Sequence, residues 1–186
     1  MVGNHRIVVM RKKSSWDFRE NPKLPDSWDG NQNCKNNMQD SFILYDGQTE
    51  IWRSDKYQTV ANMPGARHQD TIAVGDFFIE WEVSPNQHRG HVHGIIDAVD
   101  VEGQEINGRS METTPGKDGA PIDTIRWLVH DDQKLITSPP SRCRAAWSAG
   151  CFIGSYQDSE ALYAVGTKRG FKSGDHIPVL LMEVLG

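Results

Sequence analysis

Apolar and polar residues alternate in short runs along most of this chain, and this pattern limits what it can fold into. Alternation with a period of two residues places apolar side chains on one face of a β-strand. The run RIVVM, residues 6–10, is the first such strand. Further strand candidates are YQTVAN, DFFIEWEV, HVHGIIDAVDV, TIRWLVH and the closing buried strand IPVLLMEVL. We therefore expect a mostly β chain, of the β-rich α+β class.

Two local signals define a hairpin and a helix. The segment SFILYDGQTEIWRS, residues 41–54, has two β-prone runs around Asp46-Gly47, a dipeptide that tolerates the positive φ angles of a type I′ turn. The segment DSEALYAVGTKRG, residues 158–170, has apolar residues at helical spacing, with Asp158 or Ser159 as the N-cap and Gly170 as the stop. The pattern thus predicts one or two helices beside the strands.

Length and composition bound the domain organisation and the partners. The 186 residues fit one domain covering residues 1–186. Residues 14–40 are rich in Asn, Asp, Ser and Pro, which predicts an irregular loop insertion. The formal net charge of -5 leaves no basic excess to neutralise phosphates, so we expect no nucleic acid partner.

Targeting signals and cysteines bear on the compartment. The N-terminus lacks the apolar core of a secretory signal, and no run approaches the roughly 18 apolar residues of a membrane span. The three cysteines, Cys34, Cys143 and Cys151, are an odd number without a CxxC pair. We therefore expect synthesis in the cytoplasm, no membrane span and at least one cysteine that stays a thiol.

Cys151 is the first candidate for chemistry. It lies in AAWSAGCFIGS, residues 145–155, between a Ser-Ala-Gly turn and the apolar pair Phe152-Ile153. A nucleophilic cysteine needs a base nearby and donors for the charge that develops on the attacked carbonyl. Gly150 lets the backbone approach a substrate, and the N–H groups around Cys151 can form an oxyanion hole. The alternative is a small buried cysteine that only fills the core.

His130 is the candidate base. It ends the strand pattern TIRWLVH, in which Ile125, Trp127 and Val129 share one face. A polar loop follows it, and ends of strands commonly meet catalytic loops. The alternative is an ordinary surface histidine.

The motif WLVH, followed after seventeen residues by SAGCF, resembles the signature of the L,D-transpeptidase (YkuD-type) catalytic domain. The upstream segment NMPGARHQDTIAVGDFFIEWEV also resembles that family, in which a Pro-Gly turn precedes a Gly-aromatic strand. The pair IRWLVH and GCFIGS is more similar still to a phage-associated relative of that family, a domain of unknown function. The resemblance spans roughly residues 41–184. It implies an L,D-transpeptidase-like β-sandwich or barrel.

The resemblance also implies roles for individual residues. Cys151 would be the nucleophile and His130 its general base, with Asp131 orienting the imidazole and Ser148 bracing the cysteine loop. Trp147, beside Ser148, would also wall the active site. Two positions depart from the family: Ala149 stands where it has His, and Ile153 where it usually has Arg or Asn.

The function implied by the resemblance is cysteine-dependent acyl transfer on peptidoglycan stem peptides, through a thioester acyl-enzyme. Cross-linking and hydrolysis both remain open, and neither a metal nor an organic cofactor is required. A cell-wall enzyme without a secretory signal fits a phage-encoded protein, or one exported to the periplasm or cell wall by another route. The alternative, favoured by Ala149 and Ile153, is a non-catalytic phage or secretion-associated domain of the same fold that binds peptidoglycan or a structural partner.

A histidine-rich segment precedes the catalytic motif. In the family this region is where a lid over the cleft is inserted, so residues 84–120 are expected to form a lid, with His91 and His93 lining the substrate groove. The alternative is a zinc site, since His91 and His93 would lie on one strand face. No HExxH-type spacing supports a metal site.

Overall fold

The computed structural model describes residues 3–16, 39–60, 70–81, 96–99, 111–113, 128–131, 151–154 and 156–186. These residues contain a short 3-10 helix, Lys13–Ser15, and one α-helix, α1, Tyr156–Lys168. The strands are β1 (His5–Lys12), β2 (Asp40–Asp46), β3 (Thr49–Tyr57), β4 (Asp70–Ile72), β5 (Gly75–Glu80), β6 (Ile96–Val99), β7 (Met111–Thr113), β8 (Leu128–Asp131), β9 (Phe152–Gly154) and β10 (His176–Val184). The expectation of a mostly β chain with a helix is confirmed.

The described strands form a large mixed sheet and a small one. The large sheet has eight strands in the order β3-β2-β1-β10-β5-β6-β8-β9, and β4 pairs with β7 in the small sheet. Two pairs in the large sheet are parallel, β1 with β10 and β8 with β9, whereas its other pairs are antiparallel. The strands near the two ends of the chain therefore lie together at the centre of the sheet.

A single bridge joins the two edges of the large sheet. Gln58, directly after β3, pairs with Ile153 in β9. The Gln58 N–H donates to the Ile153 carbonyl and the Ile153 N–H donates to the Gln58 carbonyl, both at 2.9 Å. Because β3 and β9 are the edge strands, this bridge closes the sheet on itself. Of the two arrangements expected, the closure corresponds to a barrel.

Alternation along the strands builds the core. In β1, β2, β5 and β10, apolar residues at alternate positions are buried in one cluster. That cluster includes Ile7, Val9, Phe42, Leu44, Phe77, Ile79, Ile177, Val179 and Leu181. The sequence pattern predicted a wholly buried closing strand, but Leu180 and Met182 are 38% and 37% exposed. β10 is thus buried on one face only, since the strand lies in a sheet whose other face is open there.

The helix packs against β3 and β8. It begins two residues before the predicted N-cap, so Asp158 lies in its first turn, where a carboxylate complements the positive end of the helix dipole. The predicted stop is confirmed: Gly170 has a φ of 81°, a left-handed conformation that suits glycine. Leu162 joins the core from this helix.

The other predicted elements have mixed outcomes. The hairpin is confirmed, with Gly47 at a φ of 59° in its two-residue loop. Over its described residues, 57–60, the predicted YQTVAN is not a separate strand, because Tyr57 ends β3 and Gln58 lies in an isolated bridge. The three-residue strands β4 and β7 are too short to give an alternating pattern, and the sequence did not predict them.

Both predicted irregular segments lie partly outside the described residues. In the loop predicted over 14–40, Ser14 and Ser15 belong to the 3-10 helix and Asp40 begins β2, whereas 17–38 are outside the description. In the segment 84–120, β6 is a strand of the large sheet and β7 pairs with β4. A lid would have to come from the other residues of that segment, and it stays a prediction.

Candidate active site around Cys151

The parallel pair β8 and β9 positions the two predicted catalytic residues, with His130 in β8 and Cys151 directly before β9. Val129 pairs with Phe152, and both belong to the buried core. The next pair, His130 with Ile153, therefore occupies the other face of this ladder. Cys151 directly precedes Phe152, so it shares the face of His130 and Ile153 by alternation. The fold thus places the candidate base on β8 and the candidate nucleophile directly before the neighbouring strand β9.

The spacing between the two positions follows from strand geometry. Paired strands lie about 4.8 Å apart and rise about 3.3 Å per residue. His130 is paired with the residue two places beyond Cys151, so their Cα atoms are diagonal neighbours about 8 Å apart. For His130 and Asp131 the structure describes the backbone position in β8.

The cysteine itself is a half-buried thiol immediately before β9. Its neighbourhood is tightly packed, since Ile153 is only 5% exposed and Phe152 is fully buried. A Cβ added to Gly154 would lie 2.5 Å from Cζ of Tyr57, so only glycine fits there. The other predicted site residues lie outside the described part of the chain: Trp147, Ser148, Gly150, His91 and His93.

A buried polar cluster that the sequence did not predict lies next to the Gln58–Ile153 bridge, around Thr59. Its members Arg11, Asp40 and Thr59 are all 0% exposed. Arg11 donates from Nε to Thr59 Oγ1 at 2.9 Å, and from Nη2 to the carbonyls of Thr59 at 3.1 Å and Ile72 at 2.7 Å. Arg11 also stacks on Trp16, with Cζ 5.1 Å from the ring centroid. One guanidinium therefore ties together β1, β4 and the segment after β3.

Asp40 completes this cluster from the start of β2. Its Oδ1 accepts from the Lys12 N–H at 2.8 Å and from Ser15 Oγ at 2.5 Å. Its Oδ2 accepts from the Thr59 N–H at 3.1 Å and from Thr59 Oγ1 at 2.7 Å. Thr59 thus bonds Asp40 with its N–H and hydroxyl, and accepts from Arg11 with its carbonyl and hydroxyl. Buried charges are retained only with such partners.

Burial raises the pKa of Asp40 above its ordinary value of 3.8. The hydrogen bonds from Ser15, Thr59 and the Lys12 N–H act in the opposite direction, as does the positive charge of Arg11. Desolvation is the larger effect because the carboxyl group lies in the interior. The stability of the cluster therefore depends on the protonation of Asp40.

A sequence signal for this cluster exists in the alternation of β1. Ile7 and Val9 point into the core, and Arg11 is the next residue on that face. Asp40 likewise precedes Phe42 and Leu44 on the inner face of β2. A charged residue at an inner position of a strand indicates a buried polar partner. The RKK run that contains Arg11 hides this signal, because it looks like a solvated basic end.

Metal binding and membrane spanning can be assessed only for the described part of the chain. There, no group of three or more His, Cys, Asp or Glu residues is arranged to hold a metal ion. His91 and His93 lie outside it. The described helix is neither long nor apolar enough to cross a membrane.

Comparison with known proteins gives one relative and one structural neighbour. No model of a known protein family matches the chain. An uncharacterized protein of Treponema pallidum (strain Nichols) is 30% identical over an alignment of 190 residues. The alignment covers 96% of this chain and 80% of the relative. The chain belongs to the same protein family as this Treponema protein.

The structural neighbour is an L,D-transpeptidase from Mycobacterium smegmatis. The superposition covers 96% of this chain but only 59% of the enzyme, at 9% sequence identity and a TM-score of 0.31. At that TM-score the two folds are not shown to be the same. The strand order and register given above define the fold of this chain independently of the enzyme.

Proposed function

We propose that the chain is a cysteine-dependent acyl transferase or hydrolase of the L,D-transpeptidase type, acting on peptidoglycan stem peptides. The observation that carries the proposal is the parallel pairing of β8 with β9. This pairing puts His130 on the strand next to Cys151, two residues out of register. A nucleophile and a base on adjacent strands of one sheet are held at a fixed spacing, which acyl transfer requires.

The mechanism uses the thiol and the imidazole in turn. His130 removes the proton from Cys151, and the thiolate attacks a peptide carbonyl carbon. Backbone N–H groups at Gly150 and Cys151 stabilise the resulting oxyanion. The C–N bond then breaks, and the imidazolium returns its proton to the leaving amine. This leaves a thioester between the acyl group and Cys151.

The thioester is resolved by a second nucleophile. Attack by an amine of another stem peptide forms a new peptide bond, which is transpeptidation. Attack by water releases the shortened peptide, which is hydrolysis. In both reactions His130 takes a proton from the incoming nucleophile, and the thiol of Cys151 is regenerated. Asp131 would orient the imidazole, and Ser148 would brace the cysteine loop.

The substrate class rests on the resemblance of WLVH and SAGCF to the L,D-transpeptidase signature. Trp147, His91 and His93 are the side chains we propose for the substrate groove. Action on peptidoglycan would place the protein at the cell wall, reached through phage release or by dedicated export.

The test is incubation with purified muropeptides, followed by mass analysis of the products. New cross-links would establish transpeptidation and shortened stems hydrolysis. The variants Cys151→Ala and His130→Ala should lose activity by at least about a hundredfold, because each removes half of the nucleophile–base pair. Cys143→Ala is the matched control, since it removes a thiol eight residues away, and it should keep full activity.

One observation favours the second candidate, a non-catalytic domain that binds peptidoglycan or a structural partner. Ile153 is buried where the resembled family usually has a polar Arg or Asn. A polar contact to the catalytic loop or the substrate is therefore absent at this position. Binding to peptidoglycan without any change in muropeptide mass would support this candidate and contradict the enzymatic one.

A further inference from the structure

We infer that Arg11 and Asp40 are positioning residues for Cys151, because they hold Thr59 and thereby fix the bridge between Gln58 and Ile153. The inference rests on the proposed function in taking Cys151 as the nucleophile. Arg11 and Asp40 do not touch the reacting atoms. They lie on β1 and β2, more than a hundred positions before Cys151 in the chain.

Two consecutive residues, Gln58 and Thr59, direct their backbone hydrogen bonds to opposite sides. In an extended chain the N–H and carbonyl of one residue point to one side, and those of the next residue to the other. Gln58 directs both groups to Ile153 in β9. Thr59 directs both groups away from β9, its N–H to Asp40 and its carbonyl to Arg11. Side chains of Asp40 and Arg11 therefore take the place that a neighbouring strand would occupy.

The lengths of the strands explain why side chains, and not a neighbouring strand, bind Thr59. β2 begins at Asp40, which pairs with Tyr57, so β2 offers no backbone partner to the residues after Tyr57. Without Asp40 and Arg11, the buried polar groups of Thr59 would lose their partners. With them, Thr59 is held directly after Gln58, the residue that bonds to β9.

The bridge affects the position of the Cys151 thiol because Cys151 directly precedes β9. Ile153 is two residues beyond Cys151, and on its other side β9 pairs with β8. The start of β9 is therefore held from both sides, by β8 and by the Gln58 bridge. The alignment of Cys151 with His130 depends on this short strand keeping its register. Loss of the Thr59 anchor should loosen that register.

The test compares two substitutions at Thr59 in the full chain. Thr59→Val is close to isosteric but removes Oγ1, which accepts from Arg11 and donates to Asp40. Thr59→Ser keeps both bonds and serves as the conservative rescue. Ser15→Ala removes one donor to Asp40 and gives a milder variant if Thr59→Val does not fold. Ile177→Val, in the core near the start of β10, is the control for a general loss of stability.

Two measurements are made on each variant. Amide hydrogen exchange reports the bridge through the N–H groups of Gln58 and Ile153. The rate of Cys151 alkylation by iodoacetamide, followed by peptide mass analysis as a function of pH, reports the thiol. We expect Thr59→Val to speed exchange at those two amides by about tenfold or more. The pH of half-maximal alkylation should move about one unit toward the ordinary thiol value near 8.5, which is about a tenfold rate loss at neutral pH.

The outcomes separate the positioning role from the proposed function. Unchanged exchange in Thr59→Val, an equal rise throughout the sheet, or the same response in Ile177→Val would overturn the inference. So would a faster bridge exchange with an unaltered alkylation profile. If wild-type Cys151 reacts no faster than Cys34 and Cys143, the proposed function fails instead. Selective exchange at Gln58 and Ile153 would then still support the role of Arg11 and Asp40 in fixing β9.

Discussion

Gln58 and Ile153 exchange two backbone hydrogen bonds, each 2.9 Å long, and these bonds join the two edge strands of the sheet. The same stretch of β9 carries the closure of the barrel and follows directly on Cys151. Anything that changes the packing of β9 should therefore change both the stability of the fold and the setting of the thiol.

Gly154→Ala should destabilise the protein by about 1–3 kcal/mol or more, the usual cost of overpacking. The added Cβ would lie 2.5 Å from Cζ and 2.8 Å from the hydroxyl oxygen of Tyr57, a side chain buried in the core. Urea unfolding at neutral pH measures the change in the free energy of unfolding. The double variant with Tyr57→Leu serves as the control, because it removes the ring and should recover part of the loss. Strictly additive effects would show that the two side chains do not clash.

Gly166→Ala should also destabilise the protein, although alanine is normally the better helix former by about 1 kcal/mol. Gly166 lies inside α1, where a Cβ would meet the ring of Trp81 at 2.4 Å. That ring is fixed, since it stacks on Tyr163 at 5.9 Å between centroids and meets Phe171 edge-on at 5.1 Å. We expect a net loss of about 1–3 kcal/mol in thermal or urea unfolding.

The matched control for Gly166 is Ala164→Gly, on the exposed side of the same helix. It should cost only the intrinsic preference of about 1 kcal/mol. If Gly166→Ala proves more stable than the wild type, the close packing of Trp81 on this helix is refuted.

Ile153→Asn introduces a residue that the resembled family commonly has at this position, and it should not create a better site. Ile153 is 5% exposed, so an amide there would be buried in place of an apolar side chain. The expected cost is about 2–5 kcal/mol, from the lost apolar packing and the desolvated amide. Leu185→Asn, at 84% exposure, is the control and should change stability by less than about 0.5 kcal/mol. An Ile153→Asn variant as stable as the wild type would mean that a polar pocket already exists at β9.

Much of the fold could be predicted from the sequence because alternation and turn residues are local signals. Ile7 and Val9, the Gly47 turn and the Gly170 stop each follow from a few neighbouring residues. The elements that were missed depend on distant partners. β4 and β7 are each three residues long and are defined by their pairing with each other. The Gln58 bridge likewise depends on a residue almost a hundred positions away.

The candidate site likewise has residues that local sequence signals reveal and residues that depend on distant partners. The motif around Cys151 and the strand end at His130 are visible in the sequence. The pairing of β8 with β9 places His130 beside the strand that follows Cys151. The positions of Arg11 and Asp40 in the sequence say nothing about Thr59, because the hydrogen bonds between them form only when three separate segments meet. Predicting such a cluster requires knowing which strands are neighbours, and alternation alone does not specify strand order.

The free energy of unfolding should depend on pH through Asp40 and Asp55 with opposite signs. Burial raises the pKa of Asp40, so the folded state holds its proton more tightly than the unfolded state does. Its contribution is fully present below pH 3.8 and is lost as the pH rises through the folded-state pKa. Hydrogen bonds from Arg53 and Ser41 lower the pKa of Asp55, so its contribution is present above pH 3.8 and is lost as the pH falls through the folded-state pKa.

The two variants Asp40→Asn and Asp55→Asn separate these contributions, since each removes one titrating carboxyl group. The stability of the wild type relative to Asp40→Asn should decrease as the pH rises from about 3 to about 7, whereas its stability relative to Asp55→Asn should increase. The effect of Asp55 should be the smaller and should weaken in salt, because its side chain is 57% exposed beside Arg53. Urea unfolding of the three proteins across this pH range measures both slopes. A flat or rising difference for Asp40→Asn would show that the donors around this carboxylate outweigh its burial, and that the cluster holds Asp40 ionised throughout.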